Sequence, residues 1–247
     1  GAGQQMKGAT LFPSNMAIAA TGDSHNAYLQ GQITAKEAKA LGIHMIFAPV
    51  LDVNNNPNNP IINLRAYSDH PDIVSDFGLQ FIKGIQDQGL YACPKHFPGH
   101  GNTSIDSHTS LPIIMSSISE LNKIELKPFK NAVDNNVKMI MMAHIAMPAL
   151  DASKTPASHS YKITTDLLIN QWKFDGLIIT DGMEMSGITQ EAWSGEAAIR
   201  AIEAGSDIIL LPLDVDRTIK SIYDAVLSGR IHEERIDFSV NKILDSK

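Results

Sequence analysis

The chain of 247 residues has one cysteine, Cys93, so no disulfide can close within it. That suits a reducing compartment without excluding an oxidising one, so cytoplasm and periplasm are both open. No run reaches the roughly 18 apolar residues of a membrane-spanning helix. There is no polybasic stretch to dock on anionic lipid. The formal net charge is -7, and an acidic protein repels phosphate backbones, so neither a nucleic acid nor a membrane is expected as partner. The opening Gly-Ala-Gly-Gln-Gln has neither an initiator Met nor the apolar core of a signal peptide, and reads as the start of a fragment or processed product. Also absent are a G-x-G-x-x-G turn after a strand, which argues against a dinucleotide-binding sheet, and an H-E-x-x-H or Cys-rich spacing for zinc.

What is present suits a packed domain: 43% hydrophobic and 19% charged residues. Apolar runs of strand length occur at 45–51, 90–94, 138–143, 177–180 and 207–212. Continuous apolar runs suit strands buried on both faces. Helical patterns lie between them, at 24–41, 71–89, 117–136, 162–174, 194–204, 216–229 and 232–245. Strands alternating with helices predict a parallel α/β fold. Polar residues gather where the strands end: Asp52, then Lys95 and His96, then His144, then Asp181. Contributions from several strand ends predict a (β/α)8 barrel with its site at that face. About five strands are countable, so the barrel reads as incomplete at its N-terminal side, with residues 1–247 a single domain.

The densest chemistry lies in 95–108, KHFPGHGNTSIDSH, which holds three of the nine histidines. Its glycines and proline make it a loop leaving a strand. Lys95 beside His96 would repel a cation, so no metal is expected. Asp106, two residues before His108, can fix that imidazole's tautomer and raise its basicity, which suits a general acid/base, or it can simply cap a turn. Asp181 ends an apolar strand, where a carboxylate needs a reason to be, or it caps the next turn. The asparagines of 54–59 read as a plain surface loop, with Asp52 before it and Arg65 after it free to meet sugar hydroxyls.

Taken together, KHFPGHG at 95–101 followed by Asp106-Ser107-His108 resembles the signature of glycoside hydrolase family 3 β-N-acetylglucosaminidases, which include enzymes of cell-wall recycling. The segments at 48–53, 63–68, 143–145, 178–181, 205–207 and 235–244 resemble the same family in the same order, over nearly the whole chain. The resemblance implies a retaining hydrolase of terminal β-linked N-acetylglucosamine that needs no cofactor. It implies Asp181 as nucleophile, His108 as acid/base and Asp106 as its partner. Asp52, Arg65, Lys95 and His96 would hold the sugar, and His144 would line the pocket. It also implies further strands before this segment and leaves further domains open. A β-glucosidase, a glycoside phosphorylase and a non-catalytic sugar-binding fragment remain open alternatives.

Overall fold

The computed structural model describes residues 7–104, 111–184 and 194–246. The chain divides into two compact units, one of residues 1–102 with 118–140 and one of 103–117 with 141–247.

In the first unit the order is α1 (Asn15–Ala19), α2 (His25–Ala40), β1 (Met45–Ile46), α3 (Pro71–Gln86), β2 (Tyr91–Ala92), α4 (Ile118–Lys123) and α5 (Leu126–Asp134). Ser14 starts α1 by accepting the Ala17 N–H, and Pro71 begins α3 where no N–H is needed. Strands β1 and β2 are parallel, with Met45 opposite Tyr91 and Ile46 opposite Ala92. The pairing resumes further on as a parallel bridge between Val50 and Lys95. The Leu51 N–H donates to the Lys95 carbonyl at 2.7 Å, so the chain leaves both strands side by side at Asp52 and His96.

Helix α3 buries Val74, Phe77, Phe81, Ile82 and Ile85, which recur at helical spacing on one face. It packs on α2 at a distance that only glycine permits. A Cβ on Gly84 would lie 2.2 Å from the Tyr28 carbonyl oxygen, and one on Gly31 would lie 2.4 Å from that of Phe81. Phe97 meets Phe129 edge to face at 5.4 Å, so the loop after β2 is anchored on α5.

Strand β4 (Leu177–Thr180) pairs with β3 (Met139–Met142). All residues of both strands are buried, as continuous apolar runs require. A short 3-10 turn (Ala157–His159), a π-helix (Lys162–Gln171), α6 (Ser194–Ala204), α7 (Val215–Leu227) and α8 (Glu233–Asp245) complete the second unit. The Asp207 side chain is nearly inaccessible and joins strand to helix. It accepts the Ile178 N–H at 3.0 Å, the Lys242 ammonium at 2.7 Å and the Ser239 hydroxyl at 2.5 Å. Helix α8 is thereby tied to the strand that leads to Asp181.

The α/β alternation is as expected, but the elements differ in four respects. The run at 207–212 forms only an isolated bridge, Ile179 with Ile208. The strands form two two-stranded sheets, and no closed barrel exists among the described residues. The helix expected over 117–136 is two, broken before α5, because Pro128 has no N–H to offer the Ile124 carbonyl and fits only in a first turn. The helix expected from residue 162 is wound as a π-helix, its last turn closed by the Trp172 N–H on the Leu167 carbonyl at 3.0 Å.

Candidate functional site

In the first unit, Asp52 is wholly buried. Its Oδ1 accepts the backbone N–H of His100 at 2.6 Å and of His96 at 3.2 Å, and its Oδ2 lies 2.7 Å from His96 Nδ1. Burial works against the carboxylate's charge, but the His96 ring and the His100 N–H outweigh it and hold its pKa below the usual range. Asp52 is therefore the hub around which the 96–100 loop folds.

Asn59 stitches the same loop from the other side. Its amide Nδ2 donates to the His100 and Gly101 carbonyls at 2.9 and 2.8 Å, and its Oδ1 accepts the Ile61 and Ile62 N–H groups at 2.9 and 2.8 Å. With four bonds its side chain is saturated. This corrects the reading of the asparagines as a plain surface loop: Asn59 is only 2% exposed. Asn55 donates to Glu125 Oε1 at 3.2 Å, and burial, against that bond, pushes the Glu125 carboxyl up. The loops are so close that a Cβ on Gly101 would lie 1.7 Å from the Val53 carbonyl oxygen.

Arg65 is exposed, with Nη1 donating to the Ile61 carbonyl at 3.2 Å and Nη2 3.5 Å from His96 Nε2. A guanidinium can only donate, so that approach suits an His96 ring whose Nε2 is bare and whose Nδ1–H is given to Asp52. Arg65 and half-buried Lys95 share the wall of a cavity of about 690 Å³, otherwise largely apolar through Phe12, Ile43, Phe47 and Phe81. The first unit thus gathers Asp52, Arg65, Lys95 and His96 within one pair of loops.

In the second unit Asp181 follows β4 and is partly exposed. Its N–H donates to the Met142 carbonyl at 2.8 Å, and its Oδ1 accepts the Gly182 N–H at 2.9 Å. The buried His144 follows β3, with Nδ1 2.8 Å from Ser158 Oγ and Nε2 3.1 Å from the Gly182 carbonyl. Ser158, fourteen residues away in sequence, carried no signal of this contact. Asp106 and His108 lie outside the described residues. Among the described residues, no cluster of three or more His, Cys, Asp or Glu side chains could hold a metal ion. No helix there is long and apolar enough to cross a membrane.

His159 stands beside His144, ring centroids 6.4 Å apart. Burial first, then the His144 ring and Arg200, push its imidazole down to about 3. The folded chain keeps it neutral, while the unfolded chain binds a proton below about pH 6.5. The stability linked to this ring is therefore intact above about pH 6.5 and is lost as pH falls toward about 3. Between about pH 7 and pH 5 the native chain should lose roughly 2 kcal/mol that His159→Leu retains, read from denaturant titrations at each pH. Parallel stability profiles for the two proteins would contradict this.

Residues 1–246 match the family profile described as the glycosyl hydrolase family 3 N terminal domain. Beta-hexosaminidase A of Pseudoalteromonas piscicida is 36% identical over 263 aligned positions, spanning 97% of this chain and 44% of that protein. A solved glycoside hydrolase family 3 β-N-acetylglucosaminidase from Paenibacillus sp. str. FPU-7 is 42% identical, with a TM-score of 0.96 over 98% of this chain and 47% of the other. A solved β-glucoside phosphorylase is 28% identical, with a TM-score of 0.94 over 98% of this chain and 45% of the other. The chain spans about half the length of the curated relatives it matches.

Proposed function

The chain belongs to glycosyl hydrolase family 3, and on that premise we propose that residues 1–247 form a barrel-type catalytic domain that releases terminal β-linked N-acetylglucosamine with retention of configuration. The observation that carries this reading is Asp181: a partly exposed carboxylate at the end of a fully buried strand, oriented by the Gly182 N–H. The names of the relatives supply the substrate class.

Retention takes two displacements. In the first, the Asp181 carboxylate attacks the anomeric carbon while His108 gives its proton to the departing glycosidic oxygen. In the second, His108 takes a proton from water as the water displaces Asp181. A histidine that has given up its proton is neutral, so it adds no negative charge beside the nucleophile. Asp106 stabilises the protonated ring and sets its orientation, as the Asp of a triad does. An ordinary imidazole titrates near 6.5, close to the working pH that acid/base catalysis favours.

Lys95, Arg65 and His96 hold the sugar's hydroxyls. Asp52 is assigned a different part from the one the resemblance implies. With its oxygens taken by His96 and His100, it acts on the sugar only through the loop it organises.

His108→Ala tests the acid/base assignment. Substrates with poor leaving groups should lose about 100-fold or more in rate. A dinitrophenyl glycoside needs no protonation and should still glycosylate Asp181, after which water, lacking its base, limits turnover. Azide should restore turnover and give a β-glycosyl azide. Equal slowing of both substrates with no azide rescue would assign the acid/base elsewhere.

A second reading, phosphorolysis, is favoured by the likeness to the solved β-glucoside phosphorylase. A neutral histidine tolerates phosphate as acceptor better than a carboxylate would. Direct measurement of sugar 1-phosphate in phosphate buffer separates the two reactions.

A further inference from the structure

We propose that His144 is a positioning residue that sets the backbone behind the Asp181 carboxylate and makes no contact with the sugar. The proposal rests on the reading of Asp181 as nucleophile. A carbonyl oxygen can only accept, so the 3.1 Å approach of His144 Nε2 to the Gly182 carbonyl puts the ring proton on Nε2. The neutral ring's Nδ1 then accepts the hydroxyl proton of Ser158 at 2.8 Å. Both ring nitrogens are thus engaged by protein, and the side chain is only 1% exposed.

Ser158 is itself fixed. Its N–H donates to the Ala143 carbonyl at 3.1 Å, and the N–H of Ala157 donates to the Ile145 carbonyl at 2.7 Å, bracketing His144 in the chain. The far end of the clamp is equally defined. The peptide unit joining Gly182 to Met183 gives its carbonyl to His144 and its N–H to the Leu210 carbonyl at 2.9 Å. The Gly182 N–H, one peptide earlier, is the donor that orients Asp181 Oδ1. Gly182 has no side chain to restrain its torsions, so the bond from His144 limits how that donor, and with it the carboxylate, can turn.

The test compares His144→Leu with His144→Gln, whose amide can still donate to the Gly182 carbonyl. Thermal melting checks that both are folded. His144→Leu should lower the rate of Asp181 glycosylation by about 100-fold, as a misplaced reacting group does. Inhibition by free N-acetylglucosamine should stay within about twofold of native, and His144→Gln should recover most of the rate. If inhibition weakens while the rate holds, or if Gln is as slow as Leu, the proposal is overturned.

A readout independent of activity is the tautomer of His144 in the native chain, from long-range proton–nitrogen NMR. A proton on Nε2 is expected, and a neutral ring with its proton on Nδ1 overturns the clamp. If Asp181→Ala keeps full activity, the nucleophile assignment fails instead, and the NMR result still decides the clamp.

Discussion

Asp181→Ala should lower turnover by about four orders of magnitude, roughly 5.5 kcal/mol of barrier, in a chain that still folds. The side chain is partly exposed and fills no core volume, so its loss opens no buried cavity. Its Oδ1 accepts the adjacent Gly182 N–H at 2.9 Å, and the strand behind it is pinned through backbone, by the Asp181 N–H on the Met142 carbonyl. On the proposed mechanism, no glycosyl ester forms without the carboxylate. Azide entering the vacated space should attack the anomeric carbon directly and give the α-glycosyl azide, inverted relative to substrate. Activity within about tenfold of native, 1.4 kcal/mol of barrier, would remove Asp181 from the role.

Asp52→Ala should be damaging for a different reason. It leaves the backbone N–H groups of His96 and His100 and the His96 ring without their buried acceptor. Removing one partner from a buried charged network costs about 3–5 kcal/mol. The denaturation midpoint should fall accordingly with little change in slope, and activity should fall with it as Lys95 and His96 lose their loop. Because the folded state depresses the Asp52 pKa, its contribution is complete above the ordinary carboxylate pKa and is lost as pH falls below it. A loss under about 1 kcal/mol would mean the loop holds its shape by other bonds.

The sequence carries the framework because its signals are local. The runs at 139–142 and 177–180 are apolar throughout and are buried throughout. Polar residues placed directly after such runs, Asp52, Lys95, His96, His144 and Asp181, lie where strand pairing or bridging ends. What escapes is decided by partners far along the chain. Asparagine and proline favour turns whether the turn is wet or buried, so composition could not separate Asn59, with four bonds to distant and near backbone, from its exposed neighbours. Ser158 looks like any loop serine until the 157–158 segment is laid beside 143–145. Asp52 carries only the local signal of a strand-end carboxylate, and nothing beside it in the sequence announces the His96 and His100 amides that it accepts. The single helix expected over 117–136 overlooks Pro128, whose missing N–H bars a continuous helix there.

The proposed mechanism requires a covalent bond between Asp181 and the sugar. Incubation with a fluorinated N-acetylglucosaminyl fluoride, which forms the glycosyl ester quickly and releases it slowly, followed by peptide mass spectrometry, tests that bond directly. One added sugar is expected on the peptide that carries Asp181, lost on incubation with a competing acceptor as activity returns. A label on any other carboxylate, or hydrolysis with inversion and no label, would contradict it.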